Sequence, residues 1–157
     1  MRLITAMLGL PRVSPAIEVD FSLTGKRVVE VLERLKEKGG LPKVIKVDNG
    51  SELISKVMDE WAYHNGVKLE FSRPGKPTDN AFIESFNGRL RQECSQPNWF
   101  ISLDDAKGIV EDWREDYHEE RPHSSLKQQT PSEFVAQWKP TRTALEAEIL
   151  TLETVQL

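Results

Sequence analysis

A layered α/β domain is what this sequence predicts, and three observations carry the prediction. Short β-branched runs alternate with longer segments whose apolar residues recur at helical spacing. A length of 157 residues is enough for one domain with a sizeable core. Hydrophobic residues at 38% and charged residues at 29% are a globular composition, not a disordered one.

The elements follow in order. Residues 14–19 form a plausible strand, and Asp20 and Thr24 after it suit a helix cap. Residues 24–38 place Val28, Val31, Leu32 and Leu35 on one helical stripe, which Gly39 and Gly40 stop. Residues 44–47 are a β-branched strand leading to Asp48, with a turn at Gly50. Residues 51–65 read as a helix whose Leu53, Ile54, Val57, Met58 and Trp61 face the core, and 67–71 as a strand. Pro74, Gly75 and Pro77 break the chain before a helix that carries Glu84 and that Thr78 or Asp79 would cap. A further helix spans roughly 103–118, and Thr130 to Glu133 reads as the capped start of a last one. Residues 141–157 are expected to form a loose amphipathic helix in a divergent tail. The four tryptophans, Trp61, Trp99, Trp113 and Trp138, are too dispersed for a base-stacking platform and are expected in the core.

Composition bounds function as well. One cysteine, Cys94, cannot make an intrachain disulfide, which suits a reducing cytoplasm. The apolar run from Leu3 to Leu10 is short and is followed by Pro11-Arg12, unlike a secretory signal. No stretch approaches the ~18 apolar residues of a membrane span. A net charge of −4 argues against a protein that simply coats DNA. Charge is uneven, however: Arg73, Lys76, Arg89 and Arg91 cluster around Glu84, while residues 111–120 are strongly acidic.

Asp48 and Glu84 are the candidate functional pair. A carboxylate at a strand end and another on a helix face can converge on one site for a hard divalent cation. Two such ions can activate a water and stabilise the leaving oxygen of a phosphodiester. Asn80, Asn87, Gly88 and Arg91 share the helix face of Glu84. Of these, Arg91 is a phosphate-contact candidate, and Arg73 and Lys76 in the preceding loop could position DNA. The bland readings are an ordinary Asp-Asn-Gly turn and solvated surface charges. Phe82, Ile83 and Phe86 around Glu84 weigh against that reading. His64 and His118 read as helix-surface or interface residues, neither at zinc spacing from Cys94.

Three phrases in order carry a resemblance: Val47 to Glu52, Ser72 to Glu93, and Tyr117 to Phe134. From about Ile17 to Trp138 the chain resembles the catalytic core of DDE transposases and retroviral-type integrases, most closely the insertion-sequence transposases of the IS3 group. The resemblance implies a ribonuclease-H-like three-layer fold with a mixed sheet, here expected to lack its first strands. It divides the chain into a non-family segment 1–15, a partial integrase core 16–138 and a divergent tail 139–157. It also implies a DNA-cutting and strand-transfer enzyme using magnesium or manganese, with Asp48 and Glu84 as catalytic metal ligands. Arg73, Lys76, Asn80 and Arg91 would contact DNA. Partners would be transposon ends, target DNA and further transposase copies, in a bacterial cytoplasm at the nucleoid. The family uses a third acid on the first strand of its core. Asp20 is the sole aspartate before Asp48, and it sits too near and in a capping context. The expectation is therefore a truncated core, inactive alone. The alternative is a non-catalytic remnant that binds and inhibits an intact transposase. The phrase His123 to Leu126 is expected to pack behind the core without a catalytic part.

Overall fold

The computed structural model describes residues 1–8, 12–73, 81–97, 99–137 and 149–156. Five strands form one mixed sheet: β1 (Arg2–Leu8), β2 (Ala16–Asp20), β3 (Val44–Val47), β4 (Lys68–Phe71) and β5 (Ile149–Gln156). Their spatial order is β2-β1-β5-β3-β4. β1 runs antiparallel to both β2 and β5, while β3 runs parallel to both β5 and β4. The last strand in sequence is thus the middle strand in space.

Helices α1 (Gly25–Gly39) and α2 (Lys56–Asn65) cover one face, and α3 (Ala81–Leu90) and α4 (Leu103–Glu119) the other. Side-chain alternation along the inner strands decides which residue goes where. Ile4 and Ala6 of β1 and Leu150 and Leu152 of β5 join Val28, Leu32, Met58 and Trp61 beneath α1 and α2. Leu3 and Met7 of β1 and Val155 of β5 point the other way, against Ile83, Phe86, Leu90, Val110 and Trp113. There Phe86 meets Trp113 and Tyr117 edge-on, at centroid distances of 5.2 and 4.9 Å.

Local signals set the helix starts. Thr24, Ser55 and Ser102 each accept a hydrogen bond from the amide three residues on, capping α1, α2 and α4. Helix α5 (Pro131–Gln137) opens on a reciprocal pair. Thr130 Oγ1 accepts from Glu133 N at 3.2 Å, and Glu133 Oε2 accepts from Thr130 N at 2.9 Å. Thr130→Ala is therefore expected to cost about 1 kcal/mol, read from urea unfolding; an unchanged midpoint would show this cap to be idle.

Several expectations are corrected. The tail is no amphipathic helix: Leu150-Thr-Leu152-Glu alternates with period two, Val155 turns to the opposite face, and 149–156 is a strand whose Leu150, Leu152 and Val155 are buried. Residues 2–8, expected outside the core, form a strand buried on both faces, which is why they read as a continuous apolar run. The helix expected from residue 51 begins at Lys56, because Ser55 caps it and 51–53 form a turn. That delay leaves Ile54 and Val57 exposed while Leu53 stays buried. Trp99 lies in the link between helices and is 94% exposed, while Trp61 and Trp113 are buried as expected. Trp138 and the capping positions Thr78 and Asp79 lie outside the described residues. His118 is buried rather than on the surface; its Nε2 accepts a hydrogen bond from Ser14 N at 2.9 Å. The His123 phrase does pack behind the core, as a short 3-10 turn with Leu126 fully buried.

Candidate functional site

Asp48 follows the last residue of β3, and every polar group that fixes it comes from close by. Its amide donates to Leu152 O of β5 at 3.2 Å, extending the parallel ladder by one step. Its Oδ1 accepts from Gly50 N at 2.9 Å, a local Asx turn. Its Oδ2 accepts from Thr154 N of β5 at 3.0 Å. Gly50 is required by close approach: a Cβ there would stand 2.9 Å from Asp48 Oδ1 and 3.0 Å from Thr154 Oγ1.

Glu84 is exposed in the first turn of α3, between buried Ile83 and Phe86, whose packing fixes the helix on the sheet. One turn on, Asn87 is 1% exposed. Its Nδ2 donates to Glu153 Oε2 at 2.8 Å, and its Oδ1 has no partner. One turn on from Glu84, Gly88 faces open space among the described residues.

Glu153 is the residue that sequence reasoning missed. On β5 it pairs in register with Thr5 of β1 and points to the α3 face, opposite to Leu150 and Leu152. Burial first, and then the nearby charge of Asp48, raise its carboxyl to about 7. Glu84 adds to the rise, while the Asn87 hydrogen bond and Arg91 act the other way. Asp48 and Glu84, from separate elements, therefore bear on one shared carboxyl. The only sequence signal for Glu153 was its place in a period-two run.

Arg91 follows α3 directly and is exposed, with its charge felt at Glu153. Arg73 lies exposed just past β4, next to Ser72, whose carbonyl accepts from Asn49 Nδ2 at 3.1 Å. Lys76 and Asn80 fall outside the described residues. Among the described residues no three acids are gathered closely enough to cage an ion as they stand. The donor chemistry nevertheless suits a hard cation: Asp48, Glu84 and Glu153 supply carboxylate oxygens, and the buried Asn87 Oδ1 lacks a donor among the described residues.

Elsewhere the titratable groups are structural. Cys94 is buried, and burial alone lifts its thiol to about 11. Arg121 joins Asp116 and Glu93 at the end of α4, and its guanidinium stands 5.3 Å over the Trp113 ring.

A mixed five-stranded sheet covered by helices on both faces, with Asp48 clamped against its middle strand, defines a ribonuclease-H-like α/β domain. Two models described as the integrase core domain match residues 1–77 and 65–131. The chain belongs to the integrase-core family of DDE transposases. It is 45% identical over 128 residues to a 31.7 kDa protein of insertion element IS407 from Burkholderia multivorans, covering 82% of this chain and 46% of that protein. It is 37% identical over 139 residues to a 39.2 kDa protein of insertion element IS476 from Xanthomonas euvesicatoria, covering 88% and 40%. The chain thus spans under half the length of these relatives. Among solved structures it is similar to a chain of a simian T-cell lymphotropic virus intasome in complex with the PP2A regulatory subunit B56 gamma. The TM-score is 0.63 at 17% identity, over 80% of this chain and 45% of that one. That likeness concerns the fold. Members of the integrase-core family bind DNA and generally use divalent metal ions. No helix among the described residues is long and apolar enough to cross a membrane.

Proposed function

We propose that this chain is the catalytic core of an insertion-sequence transposase, cutting DNA phosphodiesters and joining the exposed 3′ hydroxyl to a target strand. The observation that carries the reading is Asp48 clamped at the end of β3 against β5, with Glu84 exposed on α3, whose Asn87 binds Glu153 of β5. The charges of Asp48 and Glu84 both bear on the half-buried Glu153 carboxyl. Asp48 and Glu84 would hold magnesium or manganese, which when bound supplies Lewis-acid polarisation of a phosphoryl oxygen and acidifies a coordinated water.

The protein's own residues hold and position. Asp48 is pinned through both carboxylate oxygens by the amides of Gly50 and Thr154, so its orientation is set before substrate arrives. Packing of Ile83 and Phe86 presents Glu84 outward from α3. Arg73 and Arg91, with Lys76 and Asn80 in the adjoining segment, would contact backbone phosphates and fix register without reading sequence. With a net charge of −4, unaided affinity for DNA should be weak and salt-sensitive. Partners in this reading are transposon ends, target DNA and further copies of the transposase, at the bacterial nucleoid.

The test is magnesium- or manganese-dependent nicking of supercoiled plasmid by the purified chain, beside Asp48→Asn and Glu84→Gln. Nicking by the parent chain is what this reading requires, against the expectation of a truncated core inactive alone, with each substitution lowering it by at least about a hundred-fold. Folded parent protein that never nicks, yet co-purifies with an intact relative, would replace this reading with that of a non-catalytic partner.

A further inference from the structure

We propose that Glu153, carried into the middle of the sheet by the last strand, is the third carboxylate of the metal-holding set with Asp48 and Glu84. The inference rests on the transposase reading and deepens it. It replaces the expectation that the set stops at two acids.

Backbone geometry places the residue. β5 lies hydrogen-bonded beside β3, with Leu152 opposite Val47. Beyond that pair the Asp48 amide bonds Leu152 O, and the Thr154 amide returns a bond to Asp48 Oδ2. Glu153 is therefore bracketed by the two residues that clamp Asp48. Alternation then sets its direction: Leu152 faces α1 and α2, Val155 faces α3 and α4, and Glu153 shares the face of Val155. On that side Asn87 receives it, and Asn87 lies one helical turn from Glu84 on the same face of α3. Two backbone clamps and one side-chain bond thus hold the Glu153 carboxyl next to Asp48 in the strand order and against α3, the helix that carries Glu84.

A second observation points to a ligand. Asn87 is 1% exposed, and its Oδ1, on the same amide that binds Glu153, has no hydrogen-bond donor. An orphaned acceptor of this kind is costly to bury unless something satisfies it. Beside the Glu153 carboxyl the fitting occupant is a cation or its coordinated water, not another anion.

The rival assignment makes Glu153 a structural carboxylic acid, kept neutral by burial and held by Asn87. Manganese titration of the whole chain without DNA separates the two, followed by electron paramagnetic resonance, on the parent, Asp48→Asn, Glu153→Gln and Glu153→Asp. Glu153→Gln is close in size, and it removes a repelled charge, so its metal-free thermal midpoint should equal or exceed the parent's. Its manganese affinity is expected to fall at least about ten-fold, with Glu153→Asp recovering part of the loss. Glu153→Gln binding within about two-fold of the parent, while Asp48→Asn loses the ion, would overturn the inference and leave the transposase reading standing. Folded parent protein that binds no manganese at millimolar concentration would overturn both.

Discussion

A chain lacking residues 149–156 is expected to lose cooperative unfolding altogether, because β5 is the sole strand that joins the two halves of the described sheet. β1 pairs with β2 and β5, β3 pairs with β4 and β5, and no ladder runs between β1 and β3. Without β5 the two inner strands present facing, unpaired edges, a state that invites aggregation. The deletion also strips Leu150, Leu152 and Val155 from the core, at 2%, 0% and 3% exposure. Each such side chain contributes about 1.5–3 kcal/mol on burial, and whole domains are stable by only about 5–15 kcal/mol. Burial by those three side chains alone is therefore comparable with the entire stability. Leu152→Ala is the graded version, expected to cost about 2–5 kcal/mol in urea unfolding without destroying the transition. Circular dichroism and urea titration of the shortened chain decide the point. A sharp transition near the parent's midpoint would mean that β1 and β3 close on each other, and that β5 is an accessory.

What the sequence made legible was whatever is encoded locally. β3 and Asp48 were readable because a β-branched run ends in an Asp-Asn-Gly turn, and the Asx bond from Gly50 N to Asp48 is a contact between near neighbours. The helix carrying Glu84 was readable from its apolar flanks, and the capped start of α5 from Thr130 and Glu133. β5 was not, because its identity depends on partners far away in the chain. Leu152 is bonded to Asp48, and Glu153 lies opposite Thr5, contacts that no local window contains. A four-residue apolar/polar alternation is a weak signal by itself, and a lone glutamate within it is ordinary. Helix α2 shows the same limit on a smaller scale: the apolar pattern ran through 51–55, but Ser55 decides where helical hydrogen bonding starts. The fold class could thus be read before the structure, while the third acid required the register.

Stability should fall as pH rises from about 5 to 8 through one group and fall as pH drops over the acid range through another, and single substitutions should separate them. Glu153 has its carboxyl raised from 4.5 to about 7, by burial first and by Asp48 next. The folded state then holds a proton that the unfolded chain has already released, so raising pH from about 4.5 through 7 destabilises the fold. His118 is lowered from 6.5 to about 4, by burial first and then by the charge of Arg114. Its unprotonated Nε2 accepts the Ser14 amide, and the unfolded chain binds a proton first, so stability is lost as pH falls through 6.5 towards 4. Glu153 is not fully enclosed, and solvent screening reduces its share to about 1–2 kcal/mol. Glu153→Gln should therefore flatten the loss between pH 5 and 8 and be the more stable protein at pH 8, without touching the acid limb. His118→Gln should flatten the acid limb instead. Urea unfolding at half-unit pH steps measures both. A parallel course for Glu153→Gln and the parent from pH 5 to 8 would show that the three carboxylates do not share a field. Added magnesium extends the argument, since an ion seated among Asp48, Glu84 and Glu153 should recover the parent's stability at pH 8 and leave Glu153→Gln nearly unchanged.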